Sequence, residues 1–191
     1  QNVLVTGSNR GIGYEFVSQY AERGWSVIAT SRSPHDDVEL INLAEKYSNI
    51  TIEKLDVTSQ EDIDNLVDKL SGQSIDLLIN NAGLLGDRKK QQWGNIDKST
   101  FDQLMDVNVF GPLKISEALS ENVIGSDKKQ IVVLSSIIGS IAMRTSKTPL
   151  PTLAISKTAV NMAMKTVAMQ LQEEGVKVAM LFPGSVQTRM M

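Results

Sequence analysis

Short apolar runs alternate along this chain with stretches whose apolar residues recur every three or four positions, the periods of buried strands and of amphipathic helices. Residues 2–5 form the first run, and Ile12, Phe16, Val17 and Tyr20 follow at helical spacing up to Gly24. Residues 25–30 read as a second strand, 37–47 as a helix through Leu40, Ile41, Leu43, Ala44 and Tyr47, and 50–55 as a third strand. Thr58 with Glu61 has the form of a capping box and is expected to open a helix with Ile63, Leu66, Val67 and Leu70 on its apolar face. Residues 75–79 predict a central strand covered on both faces. Ser99 with Asp102 is expected to open a long helix running to about residue 122, before a strand over 130–134. Residues 139–151 are irregular, 152–174 predict a long helix, and 176–182 a last strand.

Six strands alternating with helices imply an α/β fold: a Rossmann-type, doubly wound parallel sheet in a three-layer α/β/α arrangement. Right-handed crossovers favour the strand order 3-2-1-4-5-6. Residues 1–191 read as a single domain, without internal repeat or low-complexity tract. Ligands of such sheets sit beyond the carboxyl ends of the strands. The turn at 6–13, Asn80 to Gly83, Ser135 with Ser136, and Pro183 with Gly184 all fall at such ends and are expected to line one crevice.

Composition narrows the chemistry. A net charge of −3 gives no reason to expect nucleic acid or an anionic membrane as partner. No segment approaches the roughly 20 apolar residues of a membrane span, and a strand beginning almost at Gln1 leads us to expect no signal peptide. The absence of cysteine removes disulfides, thiolate catalysis and thiolate metal sites, and fits a reducing, cytoplasmic setting. The single histidine, His35, lies in a Ser-Pro-His-Asp-Asp loop, so neither a histidine triad nor a bound metal is expected.

The turn TGSNRGIG at 6–13 is the strongest local signal. A strand that turns sharply into a helix aims backbone N–H groups and the positive end of the helix dipole at one point, where a phosphate fits. Glycines let the turn close and let an anion approach the backbone.

With Asp56-Val57, NNAG at 80–83, Asn108 within DVNVFG, SSIIG at 135–139, Ser156-Lys157 and PGSVQT at 183–188, this turn resembles the short-chain dehydrogenase/reductase family over nearly the whole chain. The SSIIGSIA stretch is similar to its small carbonyl-reductase-like branch. The resemblance implies a nicotinamide dinucleotide and hydride transfer between it and a small carbonyl or alcohol. It assigns to the cofactor Gly7, Asn9, Arg10, Gly11, Ile12, Gly13, Ser31, Arg32, Asp56, Val57, Asn80, Ala82, Gly83, Lys157, Pro183, Gly184, Val186 and Thr188. Asp56 would bond the adenine, although a simple local cap is the alternative, and Val186 would hold the carboxamide. By register, Ser31 takes the place where an acid would select NAD; with Arg32 beside it, Arg10 in the turn and no carboxylate at that strand end, NADP(H) is expected over NAD(H).

The resemblance also implies Ser136 as the group bonding the substrate oxygen, and Asn108 as support for a proton path. Lys157 would hold the ribose and lower the pKa of a catalytic tyrosine. The family motif is Tyr-x-x-x-Lys, but Leu153 stands in the tyrosine position of this chain. Tyr14, Tyr20 and Tyr47 all fall in the first two helices, and leucine moves no proton. The chain also ends at Met191, where the family normally continues through a substrate loop to a further strand. Three alternatives stay open: an NADPH-dependent carbonyl reductase, a cofactor-binding protein with little or no turnover, and an active enzyme whose sequence was altered at 153. The resemblance further implies a homodimer or homotetramer through the helices near 101–122 and 152–174.

Overall fold

A computed structural model describes residues 1–184 and residue 186. The strands are β1 Asn2–Val5, β2 Ser26–Ser31, β3 Ile50–Lys54, β4 Leu77–Asn80, β5 Gln130–Leu134 and β6 Lys177–Leu181. All pair in parallel, in the order β3-β2-β1-β4-β5-β6. The doubly wound order expected from the sequence is the one observed. Register is set by apolar alternation: Val3 and Val5 face one side of the sheet and Leu4 the other.

The helices are α1 Gly11–Glu22, α2 Val38–Lys46, α3 Gln60–Lys69, α4 Lys98–Met105, α5 Gly111–Ala118, α6 Ser120–Ile124 and α7 Pro151–Gln170. One core lies between the sheet and α1 and α2, where Val17, Ala21, Leu40 and Leu43 meet Val3, Val5, Val27, Ala29 and Ile79. The other lies beneath α3, α5 and α7, where Ile63, Leu66, Ile115, Val160 and Met164 meet Leu4, Ile28, Leu78, Ile131 and Val133. β4, buried at every residue, is central as expected.

Four expected boundaries are corrected. Thr58 does not cap α3; it lies one residue before the N-cap, and its N–H and hydroxyl both donate to Asp56 Oδ1 (2.9 and 2.7 Å). Ser59 takes the role and accepts from the Asp62 N–H. At α4 the cap is Asp97, accepting from the Thr100 N–H at 2.8 Å, rather than Ser99. The expected long helix to residue 122 is interrupted by a π-turn over Asp106–Phe110 and a further break at Leu119. Pro112 supplies the first interruption, since it has no N–H for the helical ladder. Finally, α7 ends at Gln170 rather than 174, where the chain turns out through Gly175 in the left-handed region (φ +76°).

Candidate nucleotide site and the position of residue 153

The glycine turn is closed from below by the segment after β4. Thr6 Oγ1 accepts from the N–H groups of Asn81 and Ala82 (3.1 and 3.0 Å), and Asn81 Nδ2 donates to the Thr6 and Gly7 carbonyls, each at 2.9 Å. Gly7 and Gly11 have φ of +66° and +59°. A Cβ on Gly7 would come within 2.9 Å of Ala82 Cα, and one on Gly13 within 2.3 Å of the Gly7 carbonyl oxygen. On the other side, Ser8 donates to the Val5 carbonyl and accepts from the Thr30 N–H, tying the turn to β2. No side chain caps α1 at Arg10. The first-turn N–H groups therefore face out of a backbone-walled concavity, an arrangement that suits an anion.

The carboxyl end of β2 differs from expectation. Ser31 ends β2, but a carboxylate does reach it: Asp37 accepts from Ser31 Oγ and, at 3.1 Å, from Asn9 Nδ2. Asp37 lies six positions beyond Ser31, so the strand register alone does not place it there. Arg10 and Arg32 are exposed and enter no ion pair among the described residues.

Asp56 follows β3, and one of its carboxylate oxygens serves the local turn with Thr58. Its backbone N–H donates to Asp62, whose other oxygen accepts from Lys54 at 2.9 Å. Burial pushes the Asp62 carboxyl up, but the bonds from Lys54 and the Asp56 N–H outweigh it and hold its pKa below the usual value. Val57 is buried against Gly111, where an added Cβ would meet Val57 Cγ2 at 2.9 Å. Its side chain is part of the core.

Asn108 lies in the π-turn and is fully engaged. It accepts from the Leu84 N–H (2.7 Å) and donates to the Leu84 carbonyl (2.9 Å) and to Ser156 Oγ (3.1 Å). It thus pins the loop after β4 to α7 next to Lys157. Asn80 donates to Ser116, and its Oδ1 is a buried acceptor without a partner among the described residues.

Lys157 donates to the Leu134 carbonyl at 2.8 Å, and a Cβ on Gly83 would lie 4.0 Å from its amine. Burial pushes this amine down from 10.5 to about 8. Ser136 accepts from the Ile138 N–H at the start of a one-turn 3₁₀ segment, Ile137–Gly139. That turn is pressed onto α7: a Cβ on Gly139 would fall within 2.7 Å of the Lys157 carbonyl carbon, and Thr158 donates to the Gly139 carbonyl. Ser136, Asn108 and Lys157 are thereby gathered around the middle of the first turns of α7.

Leu153 is buried one turn before Lys157 on the same helix. Its N–H donates to Gln91 Oε1 at 2.9 Å, while Gln91 Nε2 donates to the Leu85 carbonyl. Gln91, itself wholly buried, caps a helix whose own N-cap residue, Leu150, offers no side-chain bond. Tyr14, Tyr20 and Tyr47 pack with the core on the opposite face of the sheet. Pro183, Gly184 and Val186 follow β6 and are exposed; Thr188 lies outside the described residues.

Asp37, Gln91, Asn81 and Gly139 are site residues that the sequence pattern does not single out. Asn81 and Gly139 lie inside the NNAG and SSIIG motifs and are identifiable by position. Gln91 carries no local signal, because its partner is 62 residues away.

The lysine also yields a stability test. Below pH 8 its amine is charged in both folded and unfolded chains, so the cost of burying the charge is fully present. Between about 8 and 10.5 the folded chain has released that proton while the unfolded chain still holds it, so folding gains stability as pH rises. Lys157→Met is therefore expected to be more stable than the wild type at pH 7, by on the order of 2 kcal/mol. The gap should narrow as pH approaches 10, in urea unfolding at the two pH values. A gap independent of pH would mean the amine is not the titrating group.

A parallel sheet of this order, with a glycine-walled anion cradle at its switch point, defines a Rossmann-type nucleotide-binding domain. The sequence pattern of the short chain dehydrogenases matches residues 1–191, and the chain belongs to that family of oxidoreductases. It is 32% identical to a short chain dehydrogenase of Penicillium aethiopicum, over 98% of this chain and 76% of that one. Among solved structures it is similar to a carbonyl reductase of Pseudomonas aeruginosa in complex with NADP (TM-score 0.88, 29% identity, 97% of this chain and 83% of that one). An NADPH-bound carbonyl reductase from chicken fatty liver is also similar (TM-score 0.90, 30% identity, 99% and 77%).

Proposed function

We propose that the protein binds NADP(H) and is built on the plan of a carbonyl reductase, transferring hydride between the nicotinamide and a small carbonyl or alcohol. The observation that carries this is the cradle at Gly7, Gly11 and Gly13, closed by Asn81 and Ala82, above which the first turn of α1 has no side-chain cap for its N–H groups. The similar carbonyl reductases solved with NADP and NADPH support the choice of cofactor, as do Arg10 and Arg32, exposed and without an ion pair among the described residues. When bound, the nicotinamide would accept or supply the hydride. Lys157 would hold its ribose, Ser136 would bond the substrate oxygen, and Asn108 would keep the β4 loop and α7 in register. Asp56 would bond the adenine through the oxygen not used by Thr58. By the family resemblance, Ile12, Asn80, Ala82, Gly83, Pro183, Gly184 and Val186 would complete the lining of the site.

Leu153 favours a second reading, a protein that binds the cofactor with little or no turnover. No proton donor stands one turn before Lys157, and the three tyrosines lie across the sheet. Titration of NADPH, followed by its oxidation with a panel of aldehydes, ketones and quinones, separates the two. Binding with slow oxidation supports the second reading, binding with brisk oxidation the first, and no binding defeats both.

Assembly as a homodimer or homotetramer belongs to the same proposal, as does a cytoplasmic setting. On α7, Ile155, Met162 and Met169 are 49%, 68% and 63% exposed and recur every seventh residue, so they form one apolar stripe. Met162→Lys is expected to lower the oligomeric state in sedimentation equilibrium; an unchanged assembly would place the interface elsewhere. No helix among the described residues is long and apolar enough to cross a membrane.

A further inference from the structure

We propose that Asp37 is a specificity-determining residue of the dinucleotide site, an internal anion that holds the donors a ribose 2′-phosphate would use. The inference rests on the dinucleotide binding proposed above. Its basis is a residue out of its ordinary role. Asp37 occupies the N-cap position of α2, where an aspartate usually accepts a first-turn N–H, yet its side chain makes no such cap. Its carboxylate instead bridges two other elements. One oxygen accepts from Ser31 Oγ at the end of β2, and the other accepts from Asn9 Nδ2 inside the glycine turn. Ser31 is itself oriented by the Ser33 N–H, which donates to its Oγ at 3.1 Å.

Asp37 engages two neutral donors, Ser31 and Asn9, and each is followed in the chain by an exposed arginine, Arg32 and Arg10. An unphosphorylated ribose offers hydroxyl groups that can donate to the Asp37 carboxylate. A 2′-phosphate offers only more negative charge, so it meets repulsion and must compete for Ser31 and Asn9. The arginines favour the phosphate and Asp37 opposes it. The chain as it stands should therefore discriminate weakly between the two dinucleotides, despite its basic residues. Removing the carboxylate frees two donors and leaves the arginines unopposed.

The test measures binding of 2′,5′-ADP and 5′-AMP by calorimetry, and of NADPH and NADH by fluorescence titration, to the wild type, Asp37→Ala and Asp37→Asn. Asp37→Ala is expected to tighten the 2′-phosphorylated ligands roughly tenfold and to leave 5′-AMP and NADH unchanged or weaker. The gain should shrink toward 1 M salt, as screening removes the charge term. Asp37→Asn keeps the side-chain shape, so it carries the test if the alanine variant fails to fold; a gain in the same direction is expected. Equal changes for both ligand classes would overturn the proposal and make Asp37 a loop-shaping residue. No change in either variant would overturn it as well. Should the wild type bind neither class, the dinucleotide function itself falls and this inference with it.

Discussion

Leu153→Tyr is expected to raise the rate of carbonyl reduction with NADPH by about 10²–10⁴-fold, the usual contribution of a positioned general acid. The position is prepared for it. Residues 153 and 157 share one face of α7, and Gln91 fixes the helix at residue 153 through the backbone N–H, a bond indifferent to the side chain. Lys157 lies one turn on, and its positive charge would lower the phenol pKa toward the working range. The variant should also acquire a pH limb that the parent lacks: reduction needs the protonated phenol, so its rate should fall as pH passes the phenol pKa. Under the proposed function residue 153 would serve the substrate side, so dinucleotide affinity should be the same in both proteins. Equal, brisk turnover by both would show that another residue supplies the proton.

Gly13→Ala should abolish useful dinucleotide binding. The added methyl would sit 2.3 Å from the Gly7 carbonyl oxygen and 2.4 Å from Asn81 Nδ2. The first neighbour is backbone, so the clash cannot be relieved by a side-chain swing. Either the start of α1 moves away from β1, or Asn81 gives up its two bonds to the turn. Each outcome misdirects the first-turn N–H groups. Losing one or two hydrogen bonds to a charged phosphate, at about 1.5–3 kcal/mol each, weakens binding on the order of a hundredfold or more. Overpacking should cost a further ~1–3 kcal/mol of stability. Gly83→Ala is the contrast, since its Cβ meets neighbours only at 3.5 Å or beyond. It should fold with wild-type stability, and unimpaired NADPH binding by Gly13→Ala would contradict the cradle.

Leu153 and Gly139 show why the site is only partly legible in the sequence. Leu153 is identifiable from the chain alone, because helical spacing from Lys157 defines its face. Gly139 is visible there only as one letter of a motif; that its hydrogen is the only group able to fit against the Lys157 backbone follows from the packing of the turn on α7. The capping residues are obscured for a similar reason. Thr58 has the right chemistry for a cap, but Ser59 beside it has the same chemistry and takes the role, while Thr58 turns its hydroxyl to Asp56.

The sequence by itself determined the strand order, the anion cradle, the missing phenol and the family. These follow from periodicity, from right-handed crossovers and from residues close together in the chain. Only the tertiary structure decided that a carboxylate stands beside Ser31 and that Gln91 caps the helix carrying residue 153. Each of these joins groups brought together by different elements, and hydrogen bonds or close packing of that kind leave no period in the sequence.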